Sequence, residues 1–232
     1  MIQLRRDAEI FQTEGGWFSA RWHFSFDHYR DPENMGLGTL RVFNDDRLIP
    51  GAIWPLHPHR DIEGLTYVVE GTFRHEDDIG NDGVLPAGSV QRMTLGRGAW
   101  HSEQNASETE PMRFIQLWIM PAVRGLEPSC EQRVHTKEDR TDTLLEVFSP
   151  EGGSGVPVHQ EARVFISSLS AGSAVERDVP PGFGHYFYLI GGEVEMNGGK
   201  MATGDAAKIR DEARLEVRAL DPSELITVEV RV

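Results

Sequence analysis

The chain of 232 residues carries 37 acidic and 23 basic side chains, which gives it a net charge of −14. This surplus of negative charge repels phosphate backbones, so direct nucleic-acid binding is excluded as a function. The first six residues lead into charged residues rather than an apolar signal core, and no stretch approaches the roughly 20 apolar residues of a membrane span, so no membrane partner is expected.

The single cysteine, Cys130, cannot form a disulfide within the chain. A protein without disulfides is typical of a reducing compartment, so we expect a cytoplasmic location. The neighbours Ser129 and Glu131 supply no positive charge that would activate the thiol. We therefore expect a structural role for Cys130.

Along the chain, 24 glycines and 13 prolines separate short segments rich in valine, isoleucine, threonine and aromatic residues. This pattern favours many strands joined by tight turns, and predicts an all-β protein. Residues 66–73 (TYVVEGTF) and then 86–90 (PAGSV) are echoed in the same order by 187–194 (FYLIGGEV) and 201–206 (MATGDA). Any two hairpins share some of these features, but the order and spacing favour an internal duplication.

The duplication predicts two domains, residues 1–132 and residues 133–232. Residues 136–143 are polar and connect the two halves, and residues 149–157, rich in glycine and proline, are expected to form an exposed loop. Residues 138–148 permit a short helix.

His57, Pro58 and His59 form the first group of candidate site residues. Side chains two positions apart on a strand point to the same face, so the two imidazoles project together. Pro58 lacks the N–H of a central ladder, which favours an edge strand. Glu63 has the same parity as His59 and is interpreted as a further ligand, a hydrogen-bond partner of a ligand or a surface carboxylate.

His101 and Glu103 form a second pair at the same spacing. On neighbouring strands the two pairs would offer three imidazoles and one carboxylate to a single divalent ion, a donor set that suits iron, nickel, copper, manganese or zinc. The alternative is half-buried or solvated histidines that hydrogen-bond to the backbone or to water.

The second half is expected to lack metal ligands, because the positions that correspond to the four donors are Asp178, Pro180, Val217 and Ala219. Five large apolar residues are interpreted as core residues: Trp54, Trp100, Phe114, Trp118 and Met120. Because Trp54 and Trp100 stand beside the ligand pairs, the alternative for these two is that they form walls of an apolar pocket over the metal. The remaining histidines have no partner at ligand spacing and are expected in surface or core roles: His23, His28, His75, His135, His159 and His185.

The sequence resembles the pirin family, in particular bacterial pirin-like proteins of the bicupin class, over nearly all of its first half. The resemblance rests on these segments: His23 to Phe26, Asp31-Pro32, Leu40 to Val42, Asn44 to Asp46, His57 to His59, Thr66 to Val68, Glu70-Gly71, His101 to Glu103 and Gln116 to Pro121. Weaker matches at 131–133, 158–160 and 192–198 extend it to the second half.

The resemblance implies two stacked antiparallel, jelly-roll-like β-barrels in one chain. It implies one divalent metal ion, with Fe(II) as the first candidate and Cu, Ni, Mn, Co or Zn as alternatives. The positions that would hold this ion are here His57, His59, His101 and Glu103. Other cupins use the glutamate at the place of Glu63 instead. Family members usually carry glycines before the first histidine, whereas this chain has the bulkier residues 53–56 (IWPL).

The resemblance also implies a function like that of quercetin 2,3-dioxygenase, in which O₂ cleaves a small aromatic substrate of the flavonol type. Glu103, or else Glu63, would then accept the proton of the substrate hydroxyl. The alternative is an iron-containing, redox-responsive regulatory protein that binds a protein partner without turnover. A third interpretation is a zinc-dependent isomerase or small-molecule binder.

Overall fold

A computed structural model describes residues 1–232 and contains 22 strands and two single-turn 3₁₀ helices, Asp7–Glu9 and Glu138–Arg140. The all-β prediction is confirmed. The structure contains no helix with the length and apolar character that a membrane span requires. The strands of the first half are β1 (Ile2–Arg5), β2 (Phe11–Glu14), β3 (Phe18–Trp22), β4 (Leu40–Leu48), β5 (Ile53–His59), β6 (Glu63–Glu70), β7 (Thr72–Asp77), β8 (Asp82–Pro86), β9 (Ser89–Thr94), β10 (Ala99–Asn105), β11 (Met112–Ile119) and β12 (Ser129–Val134).

The second half repeats the alternation of short strands and tight turns. Its strands are β13 (Leu145–Ser149), β14 (Val156–Pro157), β15 (Ala162–Leu169), β16 (Ala174–Asp178), β17 (Phe183–Gly191), β18 (Glu193–Met196), β19 (Gly199–Ala202), β20 (Ala206–Ile209), β21 (Arg214–Ala219) and β22 (Ser223–Arg231). The prediction of a short helix within 138–148 is wrong except for the single 3₁₀ turn Glu138–Arg140. The strand at 145–149 pairs with β15 instead.

Each barrel consists of a seven-stranded and a four-stranded sheet. In the first barrel the orders are β12-β9-β6-β11-β4-β3-β2 and β5-β10-β7-β8. In the second they are β1-β20-β17-β22-β15-β13-β14 and β16-β21-β18-β19. Two strands do not follow the predicted division between residues 132 and 133. β1 pairs with β20 of the second barrel and so covers its edge, and β12 continues to Val134 in the first.

The two seven-stranded sheets pack against each other through a core of 26 buried residues that draws on both barrels. On β11, Ile115 and Leu117 belong to this core, whereas Phe114 belongs to a separate cluster inside the first barrel. Alternate residues of these strands therefore face either the barrel interior or the interface between the barrels. Both faces are buried, which explains why these strands contain near-continuous apolar runs.

The interior of the second barrel holds a buried group of charges. Arg177 donates hydrogen bonds of 2.9 Å to both carboxylate oxygens of Glu229, and His185 Nε2 lies 3.3 Å from the same carboxylate. Burial alone would raise the pKa of Glu229, but the nearby His185 ring and the two hydrogen bonds from Arg177 outweigh it and lower the pKa to about 2.

Because its pKa is lowered on folding, Glu229 contributes stability that is complete above its unfolded pKa and is lost as the pH falls toward about 2. We expect Glu229→Gln to lower the free energy of unfolding at pH 7 and to have a progressively smaller effect below pH 4.5. Urea unfolding of both proteins at pH 7, 4 and 3 measures this difference. A difference independent of pH would contradict the assignment.

Candidate metal centre

Strands β5 and β10 bring three histidines together. His57 and His101 are direct partners across the two strands, and His59 follows two residues along β5. The ring centroids of His57 and His101 lie 4.5 Å apart, and those of His59 lie 4.7 Å from His57 and 5.3 Å from His101. One ligand nitrogen of each ring lies within 4.8 Å of the other two. This histidine cluster can hold one metal ion.

The ladder between β5 and β10 contains an irregularity beside the cluster. Its register shifts between His101, which pairs with His57, and Glu103, which pairs with Trp54. The shift places one extra residue on β5, next to Pro55, which has no N–H for the ladder. His57 Nδ1 lies 2.7 Å from the Pro55 carbonyl oxygen. A carbonyl only accepts, so Nδ1 donates this hydrogen bond and Nε2 is the ring nitrogen left for a metal ion.

The lack of hydrogen-bond partners around His101 also fits a metal site. This side chain is buried, and neither of its ring nitrogens has a hydrogen-bond partner. A buried polar group without a hydrogen-bond partner lowers the free energy of unfolding by roughly 1–3 kcal/mol. Such groups are therefore typical of sites where a ligand supplies the missing partner. Burial lowers the pKa of His59 and of His101 to about 3, and the other imidazoles add to the shift. Both rings are therefore neutral at pH 7, the form that binds metals.

Glu103 adjoins the histidine cluster without being part of it. Its Oε1 atom lies 4.0 Å from His101 Nδ1 and accepts a 2.7 Å hydrogen bond from Gln116 Nε2. Burial raises its pKa above the ordinary value. Glu103 as the fourth ligand stays a prediction.

Gln116 belongs to a row of polar side chains that crosses the inner face of the seven-stranded sheet. Consecutive members are direct partners on neighbouring strands, and we call this the amide row: Asn44, Gln116, Thr66, Gln91 and Gln132. Thr66 donates to Gln116 Oε1 at 2.7 Å, and Gln132 donates to Gln91 Oε1 at 2.7 Å. Sequence reasoning missed this row. Its one local signal is the single amide of Gln116 within the otherwise apolar end of β11.

We expect Gln116→Leu to weaken metal binding roughly tenfold or more, because hydrogen-bond partners of ligands orient them and typically contribute 10–100-fold in affinity. The measurement is competitive titration of nickel or zinc with a chelator. Gln104→Leu, on strand β10, serves as the matched control and should keep the wild-type affinity. Equal affinities of Gln116→Leu and the wild type would show that Glu103 does not bind the ion.

The structure corrects the interpretation of Glu63 as a catalytic or ligand-supporting residue. The turn between β5 and β6 carries the chain from one sheet to the other, so the parity shared with His59 is lost. Glu63 is buried on the interface face of β6. It accepts hydrogen bonds of 2.7 Å from the backbone N–H of His159, 2.7 Å from His159 Nδ1 and 3.0 Å from Thr94 Oγ1. Glu63 therefore joins the two barrels.

Glu63→Gln should leave metal affinity unchanged and lower the free energy of unfolding by about 1–3 kcal/mol, since one buried acceptor of the carboxylate is lost. The checks are metal titration and urea unfolding of the same preparations. Loss of metal binding without loss of stability would restore Glu63 to the site.

A second group of possible ligands, His75, Asp77 and Cys130, lies behind the histidine cluster. The Asp77 carboxylate already accepts four hydrogen bonds, from His75 Nε2, the backbone N–H groups of Ile79 and Asn81, and Asn81 Nδ2. Burial, with Asp77 adding, raises the pKa of the Cys130 thiol to about 12. This saturated carboxylate and inert thiol form a structural group, in agreement with the expectation for Cys130.

A cavity of about 740 Å³ opens onto the site, and His57, His59 and Glu103 form part of its wall. The ring of Trp118 packs edge-on against His59 at 4.6 Å. Trp100, which was predicted to be a core residue or a pocket wall, lies outside the cavity and is 46% exposed. Met120 lines the cavity together with six aromatic side chains: Phe18, Trp22, Phe26, Trp54, Phe114 and Trp118.

The fold and this site define a bicupin whose first barrel presents a histidine cluster to an aromatic cavity. Residues 4–119 match the family model for pirin, and residues 146–230 match the model for the quercetinase C-terminal cupin domain. The chain belongs to the pirin family.

Several relatives match this chain over its whole length. A pirin-like protein of Caulobacter vibrioides is 40% identical over 232 residues, and the quercetin 2,3-dioxygenase of Escherichia coli K12 is 37% identical over 232 residues; in each case the match covers 99% of both proteins. The crystal structure of the bacterial pirin YhhW from Escherichia coli in complex with nickel(II) has a TM-score of 0.92 and 35% identity, and the match covers 100% of this chain and 99% of that one.

Proposed function

We propose that this protein is a metal-dependent dioxygenase that uses O₂ to cleave a small flavonol-type aromatic substrate. The observation that carries the proposal is the aromatic cavity that ends at the histidine cluster. Its volume of about 740 Å³ lies within the range of small-molecule sites. Its flat aromatic walls suit a planar polycyclic ligand, because aromatic rings stack on or pack edge-on against one another. Full-length similarity to a quercetin 2,3-dioxygenase supports the same substrate class.

In this proposal one divalent ion is held by His57, His59, His101 and Glu103. Fe(II) is the first candidate, and the nickel(II) complex of the relative supports a divalent first-row ion. Three imidazoles and a carboxylate accept most such ions, so Cu, Ni, Mn, Co and Zn belong in the same comparison. When bound, the ion would supply Lewis acidity toward the substrate oxygens and, if redox-active, a route for electrons to O₂.

The side chains of this protein have separate roles in the proposal. Glu103 accepts the proton of the substrate hydroxyl, because it lines the cavity and lies beside His101. Gln116 orients Glu103 through its hydrogen bond. Trp118 and Trp54 exclude water from the reacting face of the substrate and hold its ring system in place.

The test compares protein reconstituted with each metal ion in air and under argon, with flavonol absorbance and O₂ consumption as readouts. We expect loss of flavonol only with O₂ and only with a redox-active ion. Absence of O₂-dependent loss with iron, copper, nickel, manganese and cobalt would overturn the proposal. Zinc-dependent turnover without O₂ would instead indicate an isomerase. Different binding of a protein partner by the Fe(II) and Fe(III) forms, without flavonol binding, would indicate a regulatory protein.

A further inference from the structure

Arg41 is a positive charge on the cavity wall for which the protein provides no partner. Most arginines of this chain form ion pairs with carboxylates. Arg41 forms neither an ion pair nor a side-chain hydrogen bond, although it is half-buried and lines the cavity. None of its side-chain nitrogens is sealed inside the protein, so the guanidinium group is accessible to a ligand.

An irregularity of the seven-stranded sheet explains why this side chain reaches the cavity. Trp118 on β11 pairs with Val42 on β4. The next residue, Ile119, pairs with Leu40, so Arg41 is the extra residue of a β-bulge. Consecutive residues of a regular strand face opposite sides, whereas Arg41 and Val42 both line the cavity. Bulges redirect side chains in this way and are frequent beside active sites.

Three carboxylates line the same cavity, and none of them forms an ion pair with this arginine. Asp27, which is exposed, lies 2.9 Å from His28 Nδ1. Glu103 lies 4.0 Å from His101 Nδ1, at the predicted metal site. Burial raises the pKa of Asp46 well above its ordinary value, which favours the neutral carboxyl group. The charge of the arginine is therefore available to a ligand.

A second arginine, Arg30, is exposed and also lines the cavity. Its only side-chain hydrogen bond goes to the backbone carbonyl of Tyr29, at 3.1 Å. In a chain with a net charge of −14, two arginines without ion pairs at one cavity produce a local positive potential. Such a potential attracts anionic ligands.

Trp118 connects Arg41 with the histidine cluster. The ring of Trp118 packs against His59 at 4.6 Å, and its partner on β4, Val42, is the neighbour of Arg41 in the chain. A planar ligand that lies along Trp118 therefore extends from the metal site toward the guanidinium group.

We infer that Arg41 binds an anionic substituent of the aromatic substrate, at a position away from the oxygens that face the metal ion. This inference rests on the proposed function and narrows its substrate class to aromatic compounds that carry a carboxylate, sulfate or phosphate group. A guanidinium group donates two parallel hydrogen bonds to such oxyanions. Hydrogen bonds between charged partners are about twice as strong as neutral ones, so Arg41 favours acidic over neutral substrates.

The experiment measures binding to the nickel-loaded protein by equilibrium dialysis under argon, at about 0.05 and 0.5 M NaCl. One ligand pair is quercetin and quercetin 5′-sulfonate. A second set does not require a flavonol and consists of 2-naphthol, 6-hydroxynaphthalene-2-sulfonate and 6-hydroxynaphthalene-2-carboxylate. The members of each set share a phenolic hydroxyl and differ in the anionic group. The proteins are the wild type, Arg41→Gln, Arg41→Lys and Arg218→Gln.

We expect the wild type to bind the anionic members about tenfold more tightly than the neutral ones at the lower salt concentration, and less selectively at the higher one. Arg41→Gln should lose about three- to tenfold of this preference and keep its affinity for 2-naphthol within about twofold of the wild type. Arg41→Lys keeps the charge but loses the paired donors, so it should retain part of the preference.

Arg218→Gln is the matched control. Arg218 on β21 also lacks an ion pair and a side-chain hydrogen bond, but it lies in the second barrel, so its replacement changes the net charge equally and should leave the preference unchanged. All variants should retain one equivalent of nickel and the wild-type unfolding midpoint, as expected for side chains without a partner in the protein.

An unchanged preference in Arg41→Gln would overturn the inference, because the anion would then be bound by the metal ion or elsewhere. Equal losses of affinity for neutral and anionic ligands would also overturn it, since Arg41 would then act by packing against the ring. A wild type without any preference has the same meaning. If neither quercetin ligand binds but the naphthol preference falls in Arg41→Gln, the inference stands and the proposed function fails.

Discussion

Replacement of His101 by alanine is expected to abolish stoichiometric metal binding. His101 is the most buried member of the histidine cluster, and both of its ring nitrogens are unpaired. Its ring lies 4.5 Å from His57 and 5.3 Å from His59, so its removal leaves only two imidazoles on one strand. Because loss of a hydrogen-bond partner of a ligand already costs 10–100-fold in affinity, loss of a ligand should exceed roughly 100-fold. Metal analysis by mass spectrometry after gel filtration, with nickel titration, measures the effect.

His135→Ala is the matched control for this experiment. His135 is also a buried histidine with an unpaired Nε2, but it lies outside the cluster. It should retain one equivalent of metal. One equivalent of tightly bound metal in His101→Ala would contradict the site, since the remaining side chains would then suffice.

A second large effect, on the free energy of unfolding, is expected from a substitution at the interface between the barrels. Arg113 donates hydrogen bonds of 2.8 and 2.7 Å to the two carboxylate oxygens of Asp45. The Tyr188 hydroxyl of the second barrel donates to Asp45 Oδ2 at 2.5 Å, and Arg113 also reaches the backbone carbonyl of Ile190. Burial alone would raise the pKa of Asp45, but hydrogen bonding and charge from Arg113 outweigh it and lower the pKa. Asp45 is thus an ionised carboxylate at pH 7.

Asp45→Ala should lower the free energy of unfolding by about 3–5 kcal/mol, because it leaves Arg113 buried without a counter-ion. Urea unfolding at pH 7 measures this. Tyr188→Phe removes one of the hydrogen bonds and should cost only about 1 kcal/mol. The effect of Asp45→Ala should be smaller in an Arg113→Met background, in which no buried charge is left unpaired.

Asp46→Ala, at the next position of the same strand, is the control. Asp46 is equally buried but lacks a hydrogen-bond partner at Oδ1, so we expect its replacement to cost much less than that of Asp45. Equal losses at the two positions would contradict the assignment of Asp45 as the ionic link between the barrels.

The spacing in the sequence was sufficient to predict that His57 and His59 project to the same face, since this depends only on the local backbone, whereas the approach of His101 depended on its strand lying beside β5. His57, His59 and His101 meet where the two pairs are neighbours across β5 and β10. The same parity argument was wrong for Glu63, because a turn separates it from His59 and the two residues lie in different sheets. Parity carries no information across a change of sheet.

The amide row shows the opposite case. Its members come from five strands and are far apart in the chain, but they become direct neighbours once the register of the seven-stranded sheet is set. In the sequence, Asn44 and Asp46 are only two polar residues within a strand. That their Oδ1 atoms are buried without a hydrogen-bond partner is visible only in the packed structure.

Composition, turn residues and local periodicity by themselves determined the all-β class and the same-face projection of the residues within each candidate ligand pair, because both depend on short-range backbone geometry. Tertiary structure alone decided that Glu63 and Asp45 join the barrels, that Gln116 donates a hydrogen bond to Glu103 and that Trp118 rather than Trp100 lines the cavity. The reason is that strand order and sheet packing bring together residues with no relation along the chain, and burial then determines which of their polar groups must be paired.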